Sequence, residues 1–200
     1  MKLGFFGGAF NPPTLAHLEI AKIVLNEENL DYFYFVPMGN NYNKKGLIDE
    51  KIRFEMLKIL CKDEEKIKVT DIELNKNDSI NTYQAFEMIK KEFKNNEIFF
   101  IMGADNFEKM PKWNNFASLV KNNKYIIVNR NNIDTEKIIK NNEMLNENRK
   151  NFKIINIKSN YNCVNSTLVR ELICKKDYEN AEKYISKDIA KFIKNNEIWN

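Results

Sequence analysis

The chain has 200 residues, 43% of them hydrophobic and 14 of them Phe, enough for a buried core and too apolar for global disorder. Its 32 Lys and Arg exceed its 28 Asp and Glu by only four, a dispersed excess that excludes a dedicated nucleic-acid binder while favouring phosphorylated small molecules. Three widely spaced cysteines (Cys61, Cys163, Cys174) without a CxxC, beside a single His, imply neither a disulfide framework nor a zinc cage, and predict reduced thiols in a cytoplasmic protein.

Residues 2–6 form a short apolar run closed by Gly7-Gly8, which predicts a buried first strand and a turn. The same run is broken too early by Gly and Pro to serve as a signal peptide, and no apolar run approaches the roughly 20 residues that span a bilayer. Residues 14–25 carry a helical stripe at Leu15, Leu18, Ala21, Val24 and Leu25, with Thr14 after Pro12-Pro13 as its cap. Residues 32–36 predict a second strand ended by Pro37-Met38-Gly39, 49–60 a helix started by Asp49, and 67–72 a third strand. A helix over 80–93 leads to 97–102, the most apolar strand, which stops at Gly103-Ala104-Asp105. Residues 125–128 and 152–157 read as strands, 133–149 as a polar, solvent-facing helix, and 167–173 and 181–193 as closing helices. Strands separated by helices predict an α/β fold, a Rossmann-like, mainly parallel sheet with helices on both faces. A small C-terminal helical extension over about 166–200 completes a single domain, 1–200, with no internal repeat and no linker.

In open parallel sheets, ligands sit beyond the carboxyl ends of the strands. Two glycines after the first strand let a backbone approach a ligand, and the helix N-terminus that follows is expected to offer free N–H groups to phosphate. Thr14 and His17 are three apart and share one face of the first helical turn. Alone, TxxH is more often a capping Thr beside a half-exposed His; directly after a Gly-Gly turn it predicts a phosphate site. Ser166, Thr167 and Arg170 make a second such face one turn long.

These residues carry a resemblance. GGAFNPPTLAHL resembles the (H/T)xGH signature of the nucleotidylyltransferase superfamily, commonly GGTFDPxHxGH. Phe35-Val36-Pro37, Lys44 and Arg53-Phe54-Glu55-Met56-Leu57 are similar to the FxP…PPHK…RxxML stretch of bacterial nicotinate-nucleotide adenylyltransferases. Phe100-Ile101-Met102-Gly103-Ala104-Asp105 with Pro111-Lys112-Trp113 is similar to IIGAD…LPKW, which marks the nicotinate branch, and Val164-Asn165-Ser166-Thr167-Leu168-Val169-Arg170 to ISSTxxR. The resemblance implies adenylyl transfer from ATP to nicotinate mononucleotide in NAD biosynthesis, giving deamido-NAD and pyrophosphate without a covalent enzyme intermediate. It implies His17, Thr14 and Arg170 as catalytic residues. Gly7, Gly8, Ala9, Phe10, Gly103 and Asp105 would surround ATP, with Asp105 accepting from the ribose, and Ser166, Thr167 and Arg170 would hold the β- and γ-phosphates. Lys44, Thr82, Trp113 and Asn114 would surround the acceptor, with Trp113 stacked on the nicotinate ring. Mg²⁺ would enter with ATP, held by phosphates and water, with no dedicated protein metal site. Small molecules are the implied partners, with neither nucleic acid nor membrane, and the pattern is compatible with a homo-oligomer.

The chain departs from the pattern at Thr14 for the first His, Ala16 for Gly, Asn11 for Asp, Asn41-Tyr42-Asn43-Lys44 for PPHK and Asn165 for the first Ser. Alternatives are an adenylyltransferase for nicotinamide mononucleotide or phosphopantetheine, or a nucleotide-binding regulator without catalysis. A redox enzyme using NAD fails on sequence, because no GxGxxG follows the first strand and no acidic residue ends the second.

Overall fold

The apolar runs lie side by side in the middle of the molecule because each carries hydrophobic residues on both of its faces. The computed structural model describes residues 1–41, 46–130, 133–157 and 165–199. Its strands are β1 (Lys2–Gly8), β2 (Tyr32–Pro37), β3 (Ile67–Val69), β4 (Glu97–Gly103), β5 (Lys124–Asn129) and β6 (Phe152–Asn156). They form one sheet in the order β3-β2-β1-β4-β5-β6, with every neighbouring pair parallel. The chain starts in the centre, builds outward to β3, then returns to β4 on the other side of β1. That reversal opens a crevice between the carboxyl ends of β1 and β4, where this topology binds ligands.

The helices are α1 (Leu15–Glu27), α2 (Glu50–Cys61), α3 (Thr82–Glu92), α4 (Ala104–Phe107), α5 (Phe116–Asn122), α6 (Thr135–Lys140), α7 (Glu143–Glu147), α8 (Ser166–Cys174), α9 (Tyr178–Ala181) and α10 (Lys187–Asn195). Alternate strand residues feed two cores. Phe33, Phe35, Phe99, Ile101, Ile126 and Val128 pack under α1, α2, α8 and α10, against Val24, Leu57, Val169 and Ile193. Leu3, Phe5, Phe100, Met102, Tyr125 and Ile127 pack under α3 to α7, against Ile89, Phe107, Leu119 and Leu145. Each such buried side chain contributes about 1.5–3 kcal/mol by leaving water. Cys61 belongs to the first core, and burial pushes its thiol up to about 12, so it is an inert thiol at neutral pH.

Several expected elements change in the structure. The third strand ends at Val69, two residues after Ile67, and β2 beside it ends at Pro37, which has no N–H to extend the ladder. The single polar helix over 133–149 is two short helices, because Asn142 caps a new one by accepting from Leu145 N. Its solvent-facing character is also corrected: Ile139 and Leu145 are fully buried. The helix over 181–193 is likewise split into α9 and α10 by Ser186, whose hydroxyl caps Ile189 N. Two helices not expected from sequence, α4 and α5, follow β4.

Candidate active site

Two adjoining cavities occupy the crevice. One, about 200 Å³, is bordered by Gly8, Phe10, His17, Gly103, Asp105 and Ser166, and also by Arg130. The other, about 310 Å³, runs between α3 and the ends of β1 and β4, with Thr82, Trp113, Phe86 and Met102 in its wall. Gly7, Gly8, Ala9 and Asn106 border both. Sequence reasoning passed over Arg130 and Asn106; a position just past a strand's carboxyl end was the signal available for each.

The turn after β1 is shaped by one ring. Phe10 takes a left-handed backbone (φ 46°) and is buried against Phe6 and Phe35. A Cβ on Gly8 would lie 2.9 Å from the Phe10 ring, which is why a glycine stands there. The Phe10 edge in turn meets the His17 ring at 5.1 Å between centroids.

His17 is fixed by its own helix cap. The Thr14 backbone N–H donates to His17 Nδ1 at 3.0 Å, and Thr14 Oγ1 lies 2.8 Å from the same nitrogen. Because the N–H hydrogen points at Nδ1, that nitrogen carries a lone pair, and the ring proton belongs on Nε2. Burial, with Arg130 beside it, lowers the His17 pKa from 6.5 to about 3. The imidazole is therefore neutral at physiological pH and presents a single N–H donor. Thr14 itself is fully buried and stands outside the cavity wall; it orients His17.

The amino end of α1 differs from the expected phosphate site, since Leu15 N–H is taken by Tyr184 O at 2.8 Å in the turn before α10. The start of α8 lies opposite. Asn165, standing where the family has Ser, caps it by accepting from Leu168 N, so the departure preserves the cap. Ser166 Oγ donates to Pro12 O at 2.8 Å, and Arg170 donates to Asn11 O at 2.6 Å and to Thr167 Oγ1 at 3.1 Å. These bonds bring blocks about 155 residues apart in sequence onto one turn. Ser166 borders the smaller cavity; exposed Thr167 and half-buried Arg170 lie outside its wall on α8.

Asp105 is exposed at the rim of the smaller cavity, and its Oδ1 lies 2.5 Å from the place a Cβ on Gly103 would take, so a side chain there would push the carboxylate aside. On the other side, Thr82 begins α3, whose capping box pairs Asn81 and Gln84. Trp113 is half-buried in the wall, whereas Asn114 is exposed and outside it. Lys44 lies outside the described residues. Asn11, the residue in place of Asp, is buried; its amide donates to Gly46 O and accepts from Ile48 N, a donor role a carboxylate could not fill.

The chain resembles known proteins along nearly its whole length. Residues 5–172 match the family model described as cytidylyltransferase-like. A probable nicotinate-nucleotide adenylyltransferase of Aliarcobacter butzleri is 31% identical over 196 residues, covering 98% of this chain and 96% of that one. One from Clostridium acetobutylicum is 30% identical over 200 residues, covering 99% and 98%. Among solved structures, Plasmodium falciparum nicotinic acid mononucleotide adenylyltransferase complexed with NaAD superimposes with a TM-score of 0.84 at 24% identity, covering 99% of this chain and 97% of that one. The same enzyme complexed with APC gives 0.82, also at 24% identity, covering 99% and 96%.

Proposed function

This chain belongs to the cytidylyltransferase-like family and, within it, to the nicotinate-nucleotide adenylyltransferases, and from that premise we propose which residues carry the reaction. The enzyme transfers the adenylyl group of ATP to nicotinate mononucleotide, forming deamido-NAD and pyrophosphate in NAD biosynthesis. The observation that supports the assignment best is the pair of adjoining cavities: a polar one around His17 and Ser166, and a more apolar one ending at Trp113. They suit a nucleoside triphosphate and a mononucleotide with a flat ring.

In this reading an oxygen of the acceptor's phosphate attacks the α-phosphorus in line. The bond from that phosphorus to the oxygen bridging to the β-phosphate breaks, and pyrophosphate leaves with the electron pair. The nucleophile is already anionic, so the protein has positioning and charge stabilisation to supply and no proton to remove. Neutral His17 donates its Nε2–H to the α/β region, where charge develops. Ser166, Thr167 and Arg170 hold the β- and γ-phosphates, and Thr14 acts as a positioning residue through His17. Asp105 receives the adenosine ribose. Gly7, Gly8, Ala9 and Phe10 form the turn against which the nucleotide lies.

The family works with a divalent metal ion and ATP, and we assign Mg²⁺, which neutralises phosphate charge when bound. In this reading the ion would be carried by the phosphates of ATP and by water. Lys44, Thr82 and Asn114 complete the proposed acceptor side. No helix among the described residues is long and apolar enough to cross a membrane. We assign the enzyme's work to the cytoplasm on the separate ground that its cysteines read as reduced thiols.

Pyrophosphate release with Mg-ATP and each acceptor in turn tests the reading. Release with nicotinate mononucleotide is expected; release only with nicotinamide mononucleotide or phosphopantetheine overturns the acceptor assignment. Trp113→Ala is expected to raise KM for the acceptor on the order of 10-fold and spare that for ATP, because a lost stacking face costs about 1–3 kcal/mol. Equal damage to both constants would make Trp113 a structural anchor instead.

A further inference from the structure

The two cavities meet along a short boundary, and the bond that is made and broken must lie there. Gly7, Gly8, Ala9 and Asn106 form it. The first three bring only backbone and a methyl group, so Asn106 alone brings a polar side chain to both cavities. His17, Arg130 and Ser166 border the smaller cavity only, and Thr82 and Trp113 the larger only. Among the described residues, the Asn106 amide has no hydrogen-bond partner, and the residue is exposed. It stands on α4, which is anchored in the core. Ala104 and Phe107 on either side are buried, and the Phe107 ring packs on Phe152 at 5.3 Å between centroids. A donor without a partner among the described residues, at the boundary of two cavities that suit anionic ligands, has an evident use.

We propose that Asn106 is a further substrate-contacting residue of the adenylyl transfer, its Nδ2–H donating to a non-bridging phosphate oxygen at the boundary. This deepens the function proposed above and rests on it. The acceptor phosphate and the α-phosphate repel each other as they approach. A neutral amide aimed at the oxygens between them offsets that repulsion without pairing with the nucleophile as an ammonium would. The donor takes no part in covalent change and gives up no proton. A dinucleotide product spans both cavities and keeps this contact, whereas ATP alone fills one side and depends on it less.

The test compares the wild type with Asn106→Ala, Asn106→Asp and Asn106→Ser in steady-state kinetics, with calorimetric titration of deamido-NAD and of Mg-ATP. Asn106→Ala is expected to lower kcat between about 10- and 100-fold, with both KM values within about threefold. It should also weaken deamido-NAD on the order of 10-fold and Mg-ATP by less than about twofold. Asn106→Asp should lose more than Ala, because a carboxylate faces the phosphates, and Asn106→Ser should recover part of the rate through its hydroxyl. An active wild type with an unchanged Ala variant overturns this inference alone. So does a variant in which kcat, both affinities and thermal stability fall together, since that describes a folding defect. A wild type that releases no pyrophosphate with nicotinate mononucleotide sinks the proposed function and takes this inference with it.

Discussion

Replacing His17 with Ala is expected to lower kcat on the order of 10²-fold or more, with the fold intact, because a preorganised donor to the charge of the transition state is lost. An unchanged rate would remove His17 from the mechanism. The donor is specified by local geometry: Thr14 N–H occupies Nδ1 and leaves Nε2–H as the only ring donor. Burial holds the imidazole neutral, with a pKa of about 3 against the usual 6.5. His17 is the only histidine in the chain, so its ring signals in an NMR spectrum need no assignment. They should stay fixed between pH 5 and 8 in the free protein, and a transition near 6.5 would refute the buried, neutral ring. The sign for stability follows from linkage. Between about pH 6.5 and 3 the unfolded imidazole binds a proton that the folded one refuses, so His17 makes the fold less stable as pH falls through that window.

Replacing Arg53 with Met is expected to cost about 3–5 kcal/mol of stability, read as a lower urea midpoint at unchanged slope. Arg53 is completely buried. Its Nε donates to Ile48 O, Nη1 to Ala9 O at 2.9 Å and Nη2 to Met38 O at 2.7 Å, so one guanidinium ties together the turns after β1 and β2 and the approach to α2. Burial opposes its charge, and nearby Glu50, Asp49 and Glu73 favour it. Methionine fills the space but removes the donors to four carbonyls, of Ile48, Ala9, Met38 and Gly39, and an orphaned buried carbonyl costs about 1–3 kcal/mol. Arg53→Lys, with a point charge in place of a fork, should fall between the two. Ala9 borders both cavities, so KM for ATP and for the acceptor should rise together. A Met variant as stable as the wild type would show that the three turns hold without the staple.

Glu50 extends the same bracing. Its carboxylate accepts from Asn40 N at 2.6 Å and Asn75 N at 2.7 Å, fastening the turn after β2 to the one after β3. Nothing in the spacing of Asp49, Glu50 and Arg53 announces this. On a helical pattern the three read as a cap and its charged first turn, and only the neighbouring turns reveal which charges face inward.

What the sequence determined by itself is what nearest neighbours along the chain control. Continuous apolar runs located the six strands of the described residues, and period-3.6 stripes most of the helices; Gly-Gly and Gly-Ala-Asp marked the ends of β1 and β4, and four ordered motifs carried the family. Local patterns misjudged 133–149, where Asn142 restarts a helix and Ile139 and Leu145 turn inward among polar neighbours. Only the tertiary structure decided how the motifs cooperate. It gave the amino end of α1 to Tyr184 and bound Ser166 and Arg170 to the Pro12 turn. It also brought Arg130 and Asn106 to the cavities from the ends of β5 and β4. The physical reason is that a side chain's role depends on which donors, acceptors and charges the fold places within a few ångströms, and for these residues those partners lie far away in the chain.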